Sequence, residues 1–294
     1  MIERIPAKTI VSAYSDSSWF GINYNMNIYK GCCHGCIYCD SRSDCYRIEE
    51  FDRVRAKENA LEIIRNDLRR KVKTGVVGTG AMSDPYNPFE KELLLTRHGL
   101  ELINAYGFGA AIATKSSLIT RDINLLSEIK EHSPVLCKIT VTAAQDDLSR
   151  VIEPNVSVSS ERFEAISRLT EAGIFTGVLL MPVLPFITDN EENISSIVKL
   201  AHESGARFIY PAMGMTLRSN QREHYYEKLE RHFPGLRVKY QSYYKDAYSC
   251  SSPRAKKLWG VFTQECRRYG ILYEMHEIIR CYKQGYGSKQ LSLF

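Results

Sequence analysis

The chain has 294 residues, 44% of them hydrophobic and 25% charged, with a formal net charge of +5. That composition is globular, with length enough to bury a sizeable core, and it excludes a low-complexity or disordered polymer. The longest apolar runs, such as Gly177 to Leu184, fall far short of the roughly 20 residues of a membrane-spanning helix, and Met1 to Ile10 lacks an apolar signal core, so a cytoplasmic protein is expected.

From about Asn23 to Met213, short apolar runs alternate with longer amphipathic stretches, the pattern of a parallel sheet joined by crossover helices. In chain order, strands are predicted at Asn23–Tyr29, Gly75–Gly78, Gly109–Thr114, Val135–Thr142, Phe175–Met181 and Arg207–Ala212. Helices are predicted at Arg55–Arg70, Leu93–Tyr106, Arg121–His132, Ser160–Ala172 and Glu191–Ser204, several with Ser, Thr or Asp near their starts. Six such units give an α/β fold, a partial (β/α)6 barrel over residues 1–215. Past Gly214 the composition shifts toward Tyr, Lys and Arg, with helices predicted at Gln221–Phe233, Arg254–Tyr269 and Met275–Lys283. This reads as an α-rich C-terminal extension over 216–285, followed by a tail over 286–294. From Thr216 to Phe294 there are 15 Lys and Arg against 7 Asp and Glu, which fits a polyanionic partner or a solvated helix face.

Nine cysteines could suggest a disulfide framework, but the number is odd and no export signal is present, so a reducing compartment is expected. Cys137, Cys250, Cys266 and Cys281 are scattered, whereas four cysteines fall between Cys32 and Cys39, with Cys45 close behind. The stretch Asn27-Ile-Tyr-Lys-Gly-Cys-Cys-His-Gly-Cys-Ile-Tyr-Cys-Asp40 presents Cys32, Cys36 and Cys39 at x3 and x2 spacing, on a loop loosened by Gly31 and Gly35. Iron–sulfur clusters usually take four thiolates, so a three-cysteine set leaves one iron open to an outside ligand. Zinc is the competing metal, with His34 or Cys33 as a fourth ligand. Packing alone does not account for four cysteines in so short a loop.

This loop resembles that of the radical S-adenosylmethionine (SAM) superfamily, whose Cys-x-x-x-Cys-x-x-Cys motif follows the first strand of a partial barrel. The resemblance implies that Cys32, Cys36 and Cys39 bind one 4Fe-4S cluster, that SAM chelates the fourth iron, and that reductive cleavage of SAM yields a 5′-deoxyadenosyl radical. It places Tyr38 near the adenine and leaves Cys33 without a place in the motif. Over about residues 20–285 the chain is similar to the spore photoproduct lyase-like branch. The matching segments are Asn27-Ile-Tyr-Lys-Gly-Cys, Ser83-Asp-Pro-Tyr-Asn-Pro-Phe-Glu90 with Leu95-Thr-Arg97, Thr114-Lys-Ser116 with Thr120-Arg-Asp122, and Arg150-Val-Ile-Glu-Pro154. That likeness implies contacts to the methionine part of SAM from Ser83, from Lys115 and from a hydroxyl near Thr142.

Two departures stand out. Where the lyase has a hydrogen-returning cysteine before its Ser-Asp pair, this chain has Ala81, and where the lyase has a tyrosine after the third cluster cysteine, it has Asp40. Related chemistry on another nucleic-acid lesion, or on another substrate, is therefore expected in place of strict lyase activity. Cys137, in the fourth predicted strand, reads either as a small buried hydrophobe or as an inward thiol able to return the hydrogen. Cys250, Cys266 and Cys281 have no local chelating spacing for a second cluster. In the extension, Tyr225, Tyr226, Tyr240, Tyr243, Tyr244 and Tyr248 interleave with Arg237, Lys239 and Lys245, a mixture that suits DNA presented as a single strand or a flipped base, or tyrosines covering a helix. The final Gln290-Leu-Ser-Leu-Phe294 resembles the pentapeptide by which bacterial polymerases and repair proteins dock on the DNA sliding clamp, through Gln290, Leu291, Leu293 and Phe294. The expected function is a radical SAM enzyme acting on damaged or modified DNA with an electron donor the sequence does not name. A small-metabolite or peptide substrate, and a non-catalytic iron–sulfur protein, are the alternatives.

Overall fold

In the computed structural model, which describes residues 2–286, all six expected barrel strands form and lie side by side in chain order. They are β1 (Tyr24–Met26), β2 (Val76–Thr79), β3 (Gly109–Thr114), β4 (Val135–Thr140), β5 (Phe175–Leu180) and β6 (Phe208–Pro211), each parallel to the next. Period-two alternation divides their side chains. Ile112, Cys137, Ile139, Val178 and Leu180 face the surrounding helices, while Val76, Ala111, Leu136, Leu179 and Phe208 face the lumen. Gly177 suits the crowded lumen because a Cβ there would overlap the carbonyl and ring of Phe208. A strand the pattern did not signal, Val11–Ala13, pairs antiparallel with β1, and the Asp67 carboxylate fixes it by accepting from the amides of Ile10 and Val11 at 2.8 and 2.9 Å.

Five helices cover the outer face: α1 (Ala60–Arg69), α2 (Leu95–Ala105), α3 (Ile123–Lys130), α4 (Ser159–Glu171) and α5 (Glu191–Glu203). The start of α5 has the local chemistry of a good N-terminus, with the Asn190 side chain accepting from the Asn193 amide at 2.9 Å and Glu191 and Glu192 in the first turn. The helix expected from Arg55 begins only at Ala60. Arg55–Lys57 is instead a strand, clamped between Glu3–Ile5 and Tyr29–Lys30, and Asn59 turns the chain at φ 49°. For the same reason the first expected strand divides: Tyr24–Met26 stays in the barrel and Tyr29–Lys30 joins this smaller sheet.

The C-terminal part adds α6 (Gln221–His232), α7 (Leu236–Tyr244), α8 (Ala255–Tyr269) and α9 (Met275–Lys283), with a hairpin pairing Gly214–Thr216 to Ser249–Ser251. α8 packs on α5, and the segment after it runs along β6, where the Ile209 amide donates to the Leu272 carbonyl at 2.9 Å, so the exposed sheet edge is covered. α9 closes the base of the barrel: Ile278 and Tyr282 sit among Phe20, Leu136 and Phe208, and the Tyr282 hydroxyl donates to the Phe20 carbonyl at 2.6 Å. At the opposite end the hairpin, α6 and α7 pack on Cys36, Ile37 and Tyr38. This packing corrects the expectation of a tyrosine stacking surface. Tyr225, Tyr226, Tyr240 and Tyr244 are buried in that cluster, leaving Tyr243 and Tyr248 at 57% and 52% exposure. Among the described residues, no helix is long and apolar enough to cross a membrane.

Candidate active site

The cysteine loop leaves the small sheet at Lys30 and is pinned from three sides. Gly31, at φ 80°, brings the chain so close to the carbonyls of Phe51 and Arg53 that no Cβ fits, and the Cys32 amide then donates to Phe51 at 2.8 Å. The Ile37 amide donates to Ile152 at 3.0 Å, the Asn155 amide to His34 at 3.0 Å, and the Ser83 hydroxyl to Gly31 at 2.6 Å. Burial pushes the Cys32 thiol up to about 12 and raises those of Cys36 and Cys39. For Cys36 the nearby Cys39 and Cys32 add to that rise.

Thiols so placed ionise readily only against a strong positive charge, which the irons of a cluster would supply. Cys36 stands near enough to both Cys39 and Cys32 for them to raise its pKa, as donors around one cluster must, and all three are thiols, the donors that iron–sulfur clusters take. Cys33 packs against the barrel core, and its carbonyl accepts from Asn155 Nδ2 at 3.1 Å.

Behind the loop stands a buried strut. Arg162, fully buried in α4, donates to the Glu153 carboxylate at 2.5 Å and to the Thr140 carbonyl at 2.9 Å. Glu153 in turn accepts from the Tyr38 hydroxyl, which also lies 3.2 Å from the Thr142 hydroxyl. Burial alone would raise the Glu153 carboxyl, but Arg162 and Lys115 outweigh it and hold the group below its ordinary value. Tyr38, the residue before the last cysteine, is thereby held by its hydroxyl.

Tyr38 and Cys39 form part of the wall of a cavity of about 810 Å³ at the C-terminal ends of the strands, with Trp19, Lys115, Lys138 and Thr140 also on its surface. Lys115 lies 5.8 Å over the Tyr38 ring. Burial works against its ammonium, yet Cys36 and Glu153 more than compensate and raise its pKa. Three other expected site residues are placed differently. Thr142, just past the end of β4, is fully buried in the Tyr38–Glu153 network, and the β4 hydroxyl that reaches the cavity is that of Thr140. The Ser83 proton is committed to the loop at Gly31. Cys137 faces the helical layer, among Ile139 and Val178, and not the lumen, so the inward-thiol expectation is corrected.

Ala81 lines the cavity with a methyl group, and Asp40 accepts from Thr216 at 2.7 Å and Tyr46 at 2.8 Å and pairs with Arg218 at 3.1 Å, tying the loop to the C-terminal hairpin. The remaining motif residues serve the scaffold. Glu90 and Asp122 are fully buried and hold Arg121, with Arg97 on Asp122 at 2.8 Å and the hydroxyls of Tyr29 and Tyr86 donating into the same network. Glu153 lay within a quoted motif and its role could have been suspected, whereas nothing local marked Arg162 or Lys138.

Known proteins resemble this chain in sequence and in fold. The radical SAM superfamily model matches residues 26–198. An uncharacterized protein of Mycobacterium tuberculosis is 27% identical over 249 residues, covering 82% of this chain and 73% of that protein. An uncharacterized protein of Methanocaldococcus jannaschii is 32% identical over 174 residues, covering 58% and 64%. Among solved structures, spore photoproduct lyase complexed with dinucleoside spore photoproduct superposes with a TM-score of 0.63 at 13% identity, over 90% of this chain and 79% of that one, which is a likeness of fold. The chain belongs to the radical SAM superfamily, and membership implies a 4Fe-4S cluster and S-adenosylmethionine.

Proposed function

We propose that Cys32, Cys36 and Cys39 hold the cluster and that the enzyme acts on a damaged or modified nucleobase in DNA. The observation that carries the site is the meeting of the three-cysteine loop with a cavity of about 810 Å³, Cys39 and Tyr38 being common to both. What the cofactor pair supplies when bound is one-electron cleavage of SAM to methionine and a 5′-deoxyadenosyl radical able to take hydrogen from a C–H bond. The chain's own part is to bind, orient and shield. Lys115 offers its ammonium to the methionine carboxylate. Tyr38, immobilised by Glu153 and Thr142, presents a flat wall to the adenine, and Thr140 offers a hydroxyl. Trp19, Leu179 and Met181 give the rest of the cavity apolar walls that keep water from a reactive intermediate.

The nucleobase assignment draws support from the fold shared with an enzyme whose structure holds a dinucleoside photoproduct, and from exposed Lys239 and Lys245 on and beside α7. A base in a duplex would have to leave the stack to enter such a cavity. One observation favours a second reading, a compact metabolite: the burial of four extension tyrosines removes much of the stacking surface expected for DNA. The clamp-like residues Gln290, Leu291, Leu293 and Phe294 lie outside the described residues, and docking on a DNA sliding clamp is a proposal from sequence alone.

Anaerobic reconstitution separates these readings. The reduced enzyme is expected to release 5′-deoxyadenosine from SAM, faster with lesion-bearing DNA, and Cys32→Ala, Cys36→Ala and Cys39→Ala are each expected to lose the cluster absorbance while Cys33→Ala keeps it. Stimulation by no DNA lesion overturns the nucleobase assignment. Loss of the cluster in Cys33→Ala with retention in Cys32→Ala overturns the ligand set.

A further inference from the structure

Lys138 is 3% exposed, sits in the middle of β4 and points into the lumen, where it belongs to the cavity wall. Its neighbours in register are Ala113 on β3 and Gly177 on β5, so small residues flank it on both sides. Its ammonium lies 4.8 Å over the Phe20 ring. Among the described residues it has no hydrogen-bond acceptor and no carboxylate partner, although buried cations are ordinarily paired. Nor is a partner in reserve. Asp84 and Asp40, the two carboxylates on the same cavity, are committed: Asp84 accepts from the Thr114 hydroxyl at 2.6 Å and the Lys115 and Tyr86 amides at 2.8 and 2.9 Å, and Asp40 is held by Thr216, Tyr46 and Arg218. Burial accordingly pulls the Lys138 pKa down to about 8. Lys115, by contrast, stands beside Cys36 and Glu153 and is engaged with the cofactor end of the cavity.

We propose that Lys138 is a substrate-recognition residue that receives an anionic oxygen group, a carboxylate or a phosphate, inside the barrel. An anion would complete the pairing that the fold leaves open, and a neutral substrate of the same shape would leave the ammonium uncompensated. Trp19, also on the cavity wall, gives the rest of such a substrate an aromatic surface. This assignment rests on the cavity being the reaction chamber proposed above, and it holds for a nucleotide or for an acidic metabolite.

The test uses the reconstituted enzyme with SAM bound and both tryptophans replaced by 5-fluorotryptophan. The chain has two, Trp19 in the cavity and Trp259, 44% exposed on α8, as an internal control. Benzoate, phenyl phosphate and benzamide are titrated while the fluorine resonances are followed. One or both anions are expected to shift the Trp19 resonance saturably and leave Trp259 in place, with benzamide weaker by roughly tenfold or more, and the tighter anion names the group. Lys138→Met is expected to abolish the anion preference while keeping cluster absorbance and SAM binding, and Lys138→Gln serves should the Met variant fold poorly. Equal binding of benzamide, an unchanged titration in either variant, or no saturable shift in the wild type overturns the assignment. Release of 5′-deoxyadenosine measured on the same samples reports the radical chemistry separately, so failure of anion recognition is distinguishable from failure of the proposed reaction.

Discussion

Lys138 and Cys137 are chain neighbours that the pleat sends to opposite sides of the same strand, one to the lumen and one to the helices. Lys138 and Thr140 alternate with Cys137 and Ile139 along Val135–Thr140, but the strand is buried on both faces, so only its packing between lumen and helices says which set looks inward. The inward-thiol expectation failed on that point, while the cysteine loop was legible because its spacing is local. The placement of Lys138 has a measurable consequence. Its pKa falls from the ordinary 10.5 to about 8, so between those values the unfolded chain holds a proton that the folded chain has released. Stability therefore rises with pH across this window, by about 3 kcal/mol in total, and the penalty of the buried charge is fully present below pH 8. Urea denaturation from pH 7 to 10 should show that rise in the wild type relative to Lys138→Met, with the variant more stable at pH 7. Parallel pH profiles would contradict the argument.

At the scale of elements, the extension was legible as helices but not as parts of the barrel. Met275–Lys283 was predicted with its observed bounds from its amphipathic pattern, yet only the tertiary structure puts Ile278 and Tyr282 at the barrel's base, against Phe20 from the other end of the chain. Because Ile278 is fully buried there, Ile278→Ala should cost about 2–5 kcal/mol, read as a lower urea midpoint with an unchanged slope. A cost under about 0.5 kcal/mol, the range of surface substitutions, would show that α9 does not plug the lumen. The tyrosines of α6 and α7 teach a related lesson. Their interleaving with Arg and Lys looked like a nucleic-acid surface, but a tyrosine buries its ring and satisfies its hydroxyl equally well inside a core. Tyr225 and Tyr240 do this, with hydroxyls 3.0 Å apart and Tyr240 donating to the Pro185 carbonyl at 2.7 Å.

For the whole molecule, the two ends of the barrel have different owners. The base is sealed by α9, and the mouth is shared by the cysteine loop and the hairpin that Asp40 ties to it. Residues 290–294, outside the described residues, are tested by deletion. Deleting 290–294 is expected to abolish binding to a purified bacterial sliding clamp while leaving thermal stability and cluster absorbance unchanged. Equal clamp binding with and without those residues excludes the docking role, and a lowered melting temperature assigns them to the fold. By itself the sequence determined what depends on local spacing and period. The cysteine loop followed from three thiols within eight residues, the β/α alternation from the switching hydrophobic period, and the family from the resemblance that the loop and its matching segments carry. The tertiary structure alone decided which face each buried strand residue takes, that Glu153 and Arg162 brace Tyr38 from behind, and that Lys138 has no counter-charge among the described residues, since each depends on groups brought together by strand register and helix packing across long stretches of chain.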